Sequence, residues 1–315
     1  GEYRPKQFSK SFDNKGEGNF RPKRRDGEQS GEYRPKQFSS KFQTKTSRTF
    51  GKGKKGASSE TPRYNLGKFE KNHRRAKQEN EPLRLNKFIA HAGVCSRREA
   101  DELIQKGRVT VNGVVITEMG HKVLPTDKVV FEGRQLKPEK FVYVLLNKPK
   151  DYITTTQDPD ARNTVMELVH NACEERIYPV GRLDRNTTGL LLFTNDGELA
   201  EKLAHPSNQI RKVYEVTLDK PMVAVDFDRL LAGIQLEDGP VTVDAAAIIS
   251  PDNCMMGIEI HSGRNRIVRR IFEHLGYEVV KLDRTMFANL TKKNLKRAQW
   301  RYLTEKEVIN LKYFL

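Results

Sequence analysis

The chain has few cysteines, a single tryptophan and no apolar run near the eighteen or so residues that a membrane-spanning helix requires. Cys95, Cys173 and Cys254 are scattered and odd in number, which argues against a disulfide framework, and no CxxC pair offers a zinc site. A reduced, cytoplasmic setting with no membrane partner is therefore expected. The opening residues GEYRPKQFSK have no apolar stretch of the secretory kind. Gly1 rather than Met stands first, so an incomplete N-terminus is expected. The sequence also has no GxxxxGK[ST] phosphate loop, no GxSxG elbow and no HExxH helix, and its histidines are isolated. Nothing in it asks for a nucleotide, a metal or another cofactor.

Apolar residues are scarce at one end. Residues 1–80 contain no Ile and no Val, and their only Leu is Leu66. They hold 22 Lys/Arg against 9 Asp/Glu, whereas the other 235 residues hold 35 against 32. Most of the net charge of +16 therefore sits in about a quarter of the chain. Such a segment cannot bury enough apolar surface to offset its chain entropy, and residues 1–80 are expected to be a disordered basic tail. The tail repeats itself: GEYRPKQFS occurs at 1–9 and again at 31–39, and NFRPKRR at 19–25 is a looser echo. Cations alternate with single aromatics, among them Tyr3, Phe8, Phe20, Tyr33, Phe42 and Phe50. Cations neutralise phosphates and rings stack on unpaired bases, so one reading is a non-specific RNA-binding arm and the other a solvated linker.

Order is expected from Leu83. LRLNKFIAHAG places Leu85, Phe88 and Ile89 at helical spacing and closes on Gly93. In SRREADELIQKG, Ser96 and Glu99 have the spacing of a capping box, and Gly107 suits a left-handed helix end. RVTVNGVVI reads as a hairpin turning on Asn112-Gly113, and DKVVFEG as a further strand. Arg84, Lys87, Arg97, Arg98 and Arg108 gather on this module of residues 83–135, on elements too small for an enzyme site. RLNKFIAHAGVCSRREADELIQKGRVTVNG resembles the small RNA-binding domain shared by the fourth small-subunit ribosomal protein and bacterial tyrosyl-tRNA synthetases. That resemblance implies binding of structured RNA through its shape and its phosphates.

From Phe141 to Leu315 the pattern is that of a larger domain. FVYVLLNKP and LLLF read as buried strands, RKVYEVTL as an alternating strand, MMGIEIHSG as another, and GELAEKLAHP and NRIVRRIFEHLG as helices. Strands and helices mix without βαβ alternation, so the expected class is α+β with a mixed, mainly antiparallel sheet. The candidate site is GRLDRNTTGLLLFTNDG, residues 181–197, in which Asp184 stands between Arg182 and Arg185 just before a buried strand. An aspartate in that place is most often a turn residue between solvated arginines. A second basic cluster, GRNRIVRR at 263–270, together with the sparse chemistry elsewhere, favours a cofactor-free reaction that uses one ionised carboxylate. A guanidinium nearby would keep it charged away from water.

These stretches, in order, resemble the signatures of pseudouridine synthases of the RsuA/RluB group: LLNKP at 145–149, the Asp184 stretch, KVYEV at 212–216 and IEIHSGRNRIVRRIF at 258–272. The resemblance implies an isomerase of uridine in ribosomal RNA that needs no cofactor and works as a monomer. It puts Asp184 on the catalytic aspartate, Tyr214 on the residue that packs against the target base, and Arg269 on the basic partner of Asp184. Lys148 would support the site through backbone or phosphate contacts. Arg182, Arg185, Arg264 and Arg266 would meet RNA. Relatives often carry Glu-Gly-Arg-Asn-Arg-Gln where this chain has Ser262 to Ile267, a departure that touches one local hydrogen bond. GIQLEDGP at 233–240 and LAHPS around His205 look closer to the large-subunit RluB type than to the small-subunit enzyme. Two other readings stay open from the sequence: a non-catalytic rRNA-binding or ribosome-assembly protein, and a metal-dependent RNA hydrolase, for which Asp196 and Glu198 would be the nearest further carboxylates.

Overall fold

The structure, a computed structural model, describes residues 61–67 and 81–315. The rest of the basic tail, with its repeat, lies outside the described residues. Residues 61–67 fall inside the stretch expected to lie beyond any core, yet Leu66 is buried in the same apolar cluster as Tyr143 and Leu303. Tyr64 donates a hydrogen bond to the Leu303 carbonyl at 3.1 Å and sets its ring edge-on to Tyr143. An aromatic and a leucine two residues apart are enough to seat this short segment on the large domain.

The small domain is built as its sequence patterns require. Ser96 caps the helix Arg97–Gln105 and Glu99 returns the bond to the Ser96 amide, completing the box. Gly107 takes a positive φ of 67° past the helix end, and Asn112 and Gly113 turn the hairpin with φ of 51° and 86°. The helices Leu85–His91 and Arg97–Gln105 close over Val109, Val111 and Val129 to form a separate apolar cluster. The module meets the large domain through a Lys87–Glu198 ion pair at 3.0 Å and the stacking of His91 on Phe141.

The large domain is α+β around one mixed sheet. Its main strands are β1 (Tyr143–Lys148), β2 (Thr188–Thr194), β3 (Lys212–Leu218), β4 (Ala245–Ile248), β5 (Met255–Ile260), β6 (Val279–Phe287) and β7 (Trp300–Tyr302). They lie in the order β4-β5-β3-β6-β2-β1-β7. Only the contact of β6 with β2 is parallel; every other pairing is antiparallel. The central strands are buried on both faces. Val144, Leu146, Leu191 and Phe193 point into one core with the helices Val165–Val169 and Ile267–His274, whereas Tyr143, Leu145, Leu190 and Leu192 point into the other with Gly197–Ala204 and Glu305–Tyr313. This is why VYVLL and LLLF read as continuous apolar runs rather than alternating ones.

Candidate active site

The loop that carries Asp184 is held from below by Lys148. The Lys148 side chain is fully buried, and its Nζ donates towards the carbonyls of Pro149 (3.0 Å), Asp184 (3.1 Å), Arg185 (3.1 Å) and Thr187 (2.8 Å). A buried ammonium is tolerated because these oxygens surround it. Burial pulls its pKa down to about 8, opposed by the charges of Asp184 and Asp151. The loop is tied further by Thr154, whose hydroxyl donates to the Leu183 carbonyl, and by the Thr187 amide, which donates to the Asp184 carbonyl. Lys148 is thereby withdrawn from the residues expected to meet RNA, because a 0% exposed amine surrounded by protein carbonyls offers nothing to a phosphate. Its contacts are those of a support. Replacing it by methionine should leave several buried carbonyls without a donor. The expected result is a stability loss of about 3 kcal/mol in thermal melts, with catalysis falling more than RNA affinity. Unchanged melting and rate would refute the supporting role.

The strand pairings draw the site into a row. Lys148 on β1 pairs with Gly189 on β2, Gly189 with Arg284 on β6, and Arg284 with Tyr214 on β3. Gly189 is required in that row. Its φ is 109°, and a Cβ there would clash with the Arg284 carbonyl oxygen and stand 2.5 Å from the Arg284 nitrogen. The bare backbone lets β6 close on β2 directly beside the Asp184 loop.

A cavity of about 380 Å³ opens at the Arg284–Tyr214 end of this row. Asp184, half-buried, lines it together with Tyr214, which is 8% exposed. Arg182, Arg264, Arg266 and Ile267 line it too, so residues far apart in sequence converge on it as the motifs suggest. Ile267 is buried in the core under the sheet, which suits the apolar side chain where relatives often carry a polar one.

Arg269 does not line the cavity with Asp184. Its Nη1 donates to the Val279 carbonyl at 2.7 Å, its Nε is buried without a partner, and no ion pair joins it to Asp184. Burial is the main force lowering its pKa, with Arg266 adding to it, while the Asp184 carboxylate acts in the opposite sense. The two charges thus feel one another without touching.

The expected RNA-contacting cations divide by their partners. Arg97, Arg98, Arg84 and Arg182 are exposed. Arg108 pairs with Glu132, Lys87 with Glu198, Arg185 with Asp151 and Arg266 with Glu273. Arg264 is a tie for the hairpin Ile234–Val241: it donates to the Gly239 and Pro240 carbonyls and reaches Asp238, which Arg270 also grips. The Arg270 guanidinium, first among its neighbours, holds the Asp238 carboxyl down to about 2.

Three further lining residues, two of them inside the motifs, are given no role by the sequence. Arg284 is 3% exposed, donates from Nε to the Leu190 carbonyl and leaves Nη2 buried without a partner. Thr187, 2% exposed, leaves its Oγ1 likewise. Lys212 donates to the His261 carbonyl at 2.7 Å, and burial followed by the nearby Arg284 charge pulls it down to about 8. Of the carboxylates a hydrolase would require, Asp196 is instead a 3% exposed helix cap bonded to Tyr143 and Lys312, and Glu198 pairs with Lys87. Among the described residues no group of three or more His, Cys, Asp or Glu is placed to hold a metal ion.

The chain is similar in sequence and in fold to known proteins. Residues 142–274 match the family model for RNA pseudouridylate synthase, and residues 83–129 match the S4 domain. Ribosomal large subunit pseudouridine synthase B of Bacillus subtilis strain 168 is 44% identical over 233 residues, which cover 73% of this chain and 95% of that protein. The dual-specificity RNA pseudouridine synthase RluF of Escherichia coli K12 is 38% identical over 232 residues, covering 73% of this chain and 78% of the other. A solved pseudouridylate synthase structure superposes with a TM-score of 0.52 at 29% identity and covers 73% of this chain and 99% of its own.

Proposed function

Because this chain belongs to the RNA pseudouridylate synthase family, as an S4-domain member, we propose that it converts a uridine of large-subunit ribosomal RNA to pseudouridine, with Asp184 as the essential carboxylate. The enzyme class follows from family membership; the choice of RNA follows the naming of the Bacillus subtilis relative. The observation that carries the residue assignment is the cavity that Asp184 and Tyr214 both line.

The chemistry is an internal transfer. The bond from C1′ to N1 breaks, the uracil turns, and C5 bonds to C1′ as its proton is lost. Asp184 acts on the ribose, either as a nucleophile at C1′ or by taking a sugar proton. It does so as a carboxylate whose loop is fixed by Lys148. Tyr214 packs on the base and assists removal of the C5 proton. The target must leave its stack, at a cost of a few kcal/mol. Phosphate contacts from Arg84, Arg97 and Arg98 on the small domain and from Arg182 at the cavity offset that cost. The test is tritium release from large- and small-subunit RNA labelled at uracil C5. Release confined to the large-subunit RNA supports the assignment, and release from the small-subunit RNA alone refutes it.

The basic tail is proposed to add non-specific affinity. Deleting residues 1–60, and keeping the segment around Leu66 that packs on the large domain, removes 16 Lys/Arg and 7 Asp/Glu. RNA affinity should fall about tenfold near 0.1 M salt and its salt dependence should flatten, with turnover on saturating RNA retained. Turnover lost at saturation would place the tail in the catalytic machinery instead.

A further inference from the structure

Two cations and a hydroxyl line the cavity with donor capacity left unused. Arg284 sits beside Tyr214 in the sheet register and lines the cavity with Lys212 and Thr187. The hydrogen bonds of the two cations go to the Leu190 and His261 carbonyls, the Arg284 guanidinium lies over the Phe287 ring at 4.7 Å, and neither cation forms an ion pair among the described residues. Arg284 Nη2 and Thr187 Oγ1 are buried with no partner at all. Buried polar groups are nearly always satisfied, so unused donors beside two cations suit an acceptor that enters the cavity. That acceptor is not the RNA backbone: Arg284 is 3% and Thr187 2% exposed, deeper than a phosphate on the strand would travel. The group that enters this far, against Tyr214, is the base.

Resting on the reading that a uridine enters here, the geometry points to Arg284, Lys212 and Thr187 as the residues that bind the carbonyl oxygens of uracil while it is detached from its ribose. When the C1′–N1 bond breaks, its electron pair leaves with the base and is shared over N1, O2 and O4. The anion then attacks C1′ through C5, the C5 proton is lost and N1 gains one, so no co-reactant is consumed. Donors with a fixed positive charge bind the anion more strongly than neutral uracil. They therefore favour the detached state over the bound substrate, which is the difference that accelerates a reaction.

The test is a chemical double-mutant cycle on the full chain, with a short RNA carrying the uridine that the parent modifies. The target is uridine, 2-thiouridine or 4-thiouridine, and separate RNAs carry a neutral methylphosphonate at each phosphate flanking the target. Single-turnover conversion is followed by nucleoside chromatography. Arg284→Gln should slow conversion of uridine about 100-fold while RNA affinity stays within about threefold of the parent. Arg284→Lys should recover part of the rate. Thr187→Val, which keeps the side chain's shape, should slow conversion about tenfold, and it carries the test if the Arg284 variants do not fold. Sulfur at one of the two carbonyls should slow the parent but not the variants, because the contact it weakens is already gone. Independent, multiplying effects at both carbonyls overturn the assignment, as does coupling to the methylphosphonates in place of the thio groups. A parent that converts no uridine would overturn the isomerase reading and this assignment with it. An active parent with uncoupled variants overturns this assignment alone.

Discussion

Asp184→Asn should bind RNA with the parent's affinity and release no tritium from C5-labelled uridine, a loss of at least about 10⁴-fold. The amide fills the space of the carboxylate and leaves the loop in place, since the ties of that loop run through backbone carbonyls to Lys148 and through Leu183 to Thr154. What it removes is the negative oxygen. An amide neither attacks C1′ nor takes a proton from the sugar, so both routes open to Asp184 fail together. Asp184→Ala serves as the control against slow deamidation of the asparagine. A variant that keeps more than about one part in a hundred of the parent rate would end the case for a carboxylate mechanism. The same assay separates the two rival readings. RNA binding without release by the parent describes a ribosome-assembly protein, and strand cleavage describes a hydrolase.

Gly189→Ala should be the most damaging conservative change for stability, costing at least about 4 kcal/mol. Two penalties combine. The backbone there has a φ of 109°, which side chains with a Cβ rarely adopt, and the new carbon would collide with the backbone of Arg284. Relief would require β6 to draw away from β2, opening the sheet's parallel contact and pulling Arg284 out of line with Tyr214. The melting temperature should drop by roughly 10 °C or more, or the protein should fail to accumulate. Gly181→Ala is the matched comparison: its φ of 75° is also positive, but a Cβ there meets nothing within 4 Å. Its cost should be near 1 kcal/mol. Equal destabilisation at the two positions would show that close approach to Arg284 is not what the glycine provides.

Local signals carried a good part of this molecule. The capping box of Ser96 and Glu99, the Asn112-Gly113 turn and the doubly buried LLLF strand are visible in the chain because each depends on neighbours within a few residues. The motifs around Asp184 and Tyr214 are likewise continuous, and the structure sets both on one cavity. What could not be read depends on register. Arg284 is exactly one hundred residues from Asp184 in number but reaches the cavity only through the pairing of β6 with β2 and β3; nothing in KLDRT marks it. Lys148 looks like a lysine at a strand end, and only the chain folding back over it supplies the carbonyls that bury it. Arg264 also ties down the hairpin at 234–241, a contact that its own stretch of sequence does not reveal. Leu66 reads as a stray apolar residue in a basic tail, because the surface that receives it is built more than seventy residues later.

The row of Lys148, Gly189, Arg284 and Tyr214 has a consequence for synthesis. The small domain's apolar cluster draws on residues from Leu83 to Leu136 alone, so that module is complete while most of the chain is still to be made. The row waits for Arg284, near the end of the chain. Domains fold in the order in which they emerge from the ribosome, so a nascent chain owns its RNA-gripping module before it owns a pocket. An RNA captured at that stage is held by a protein that has no means yet of altering it.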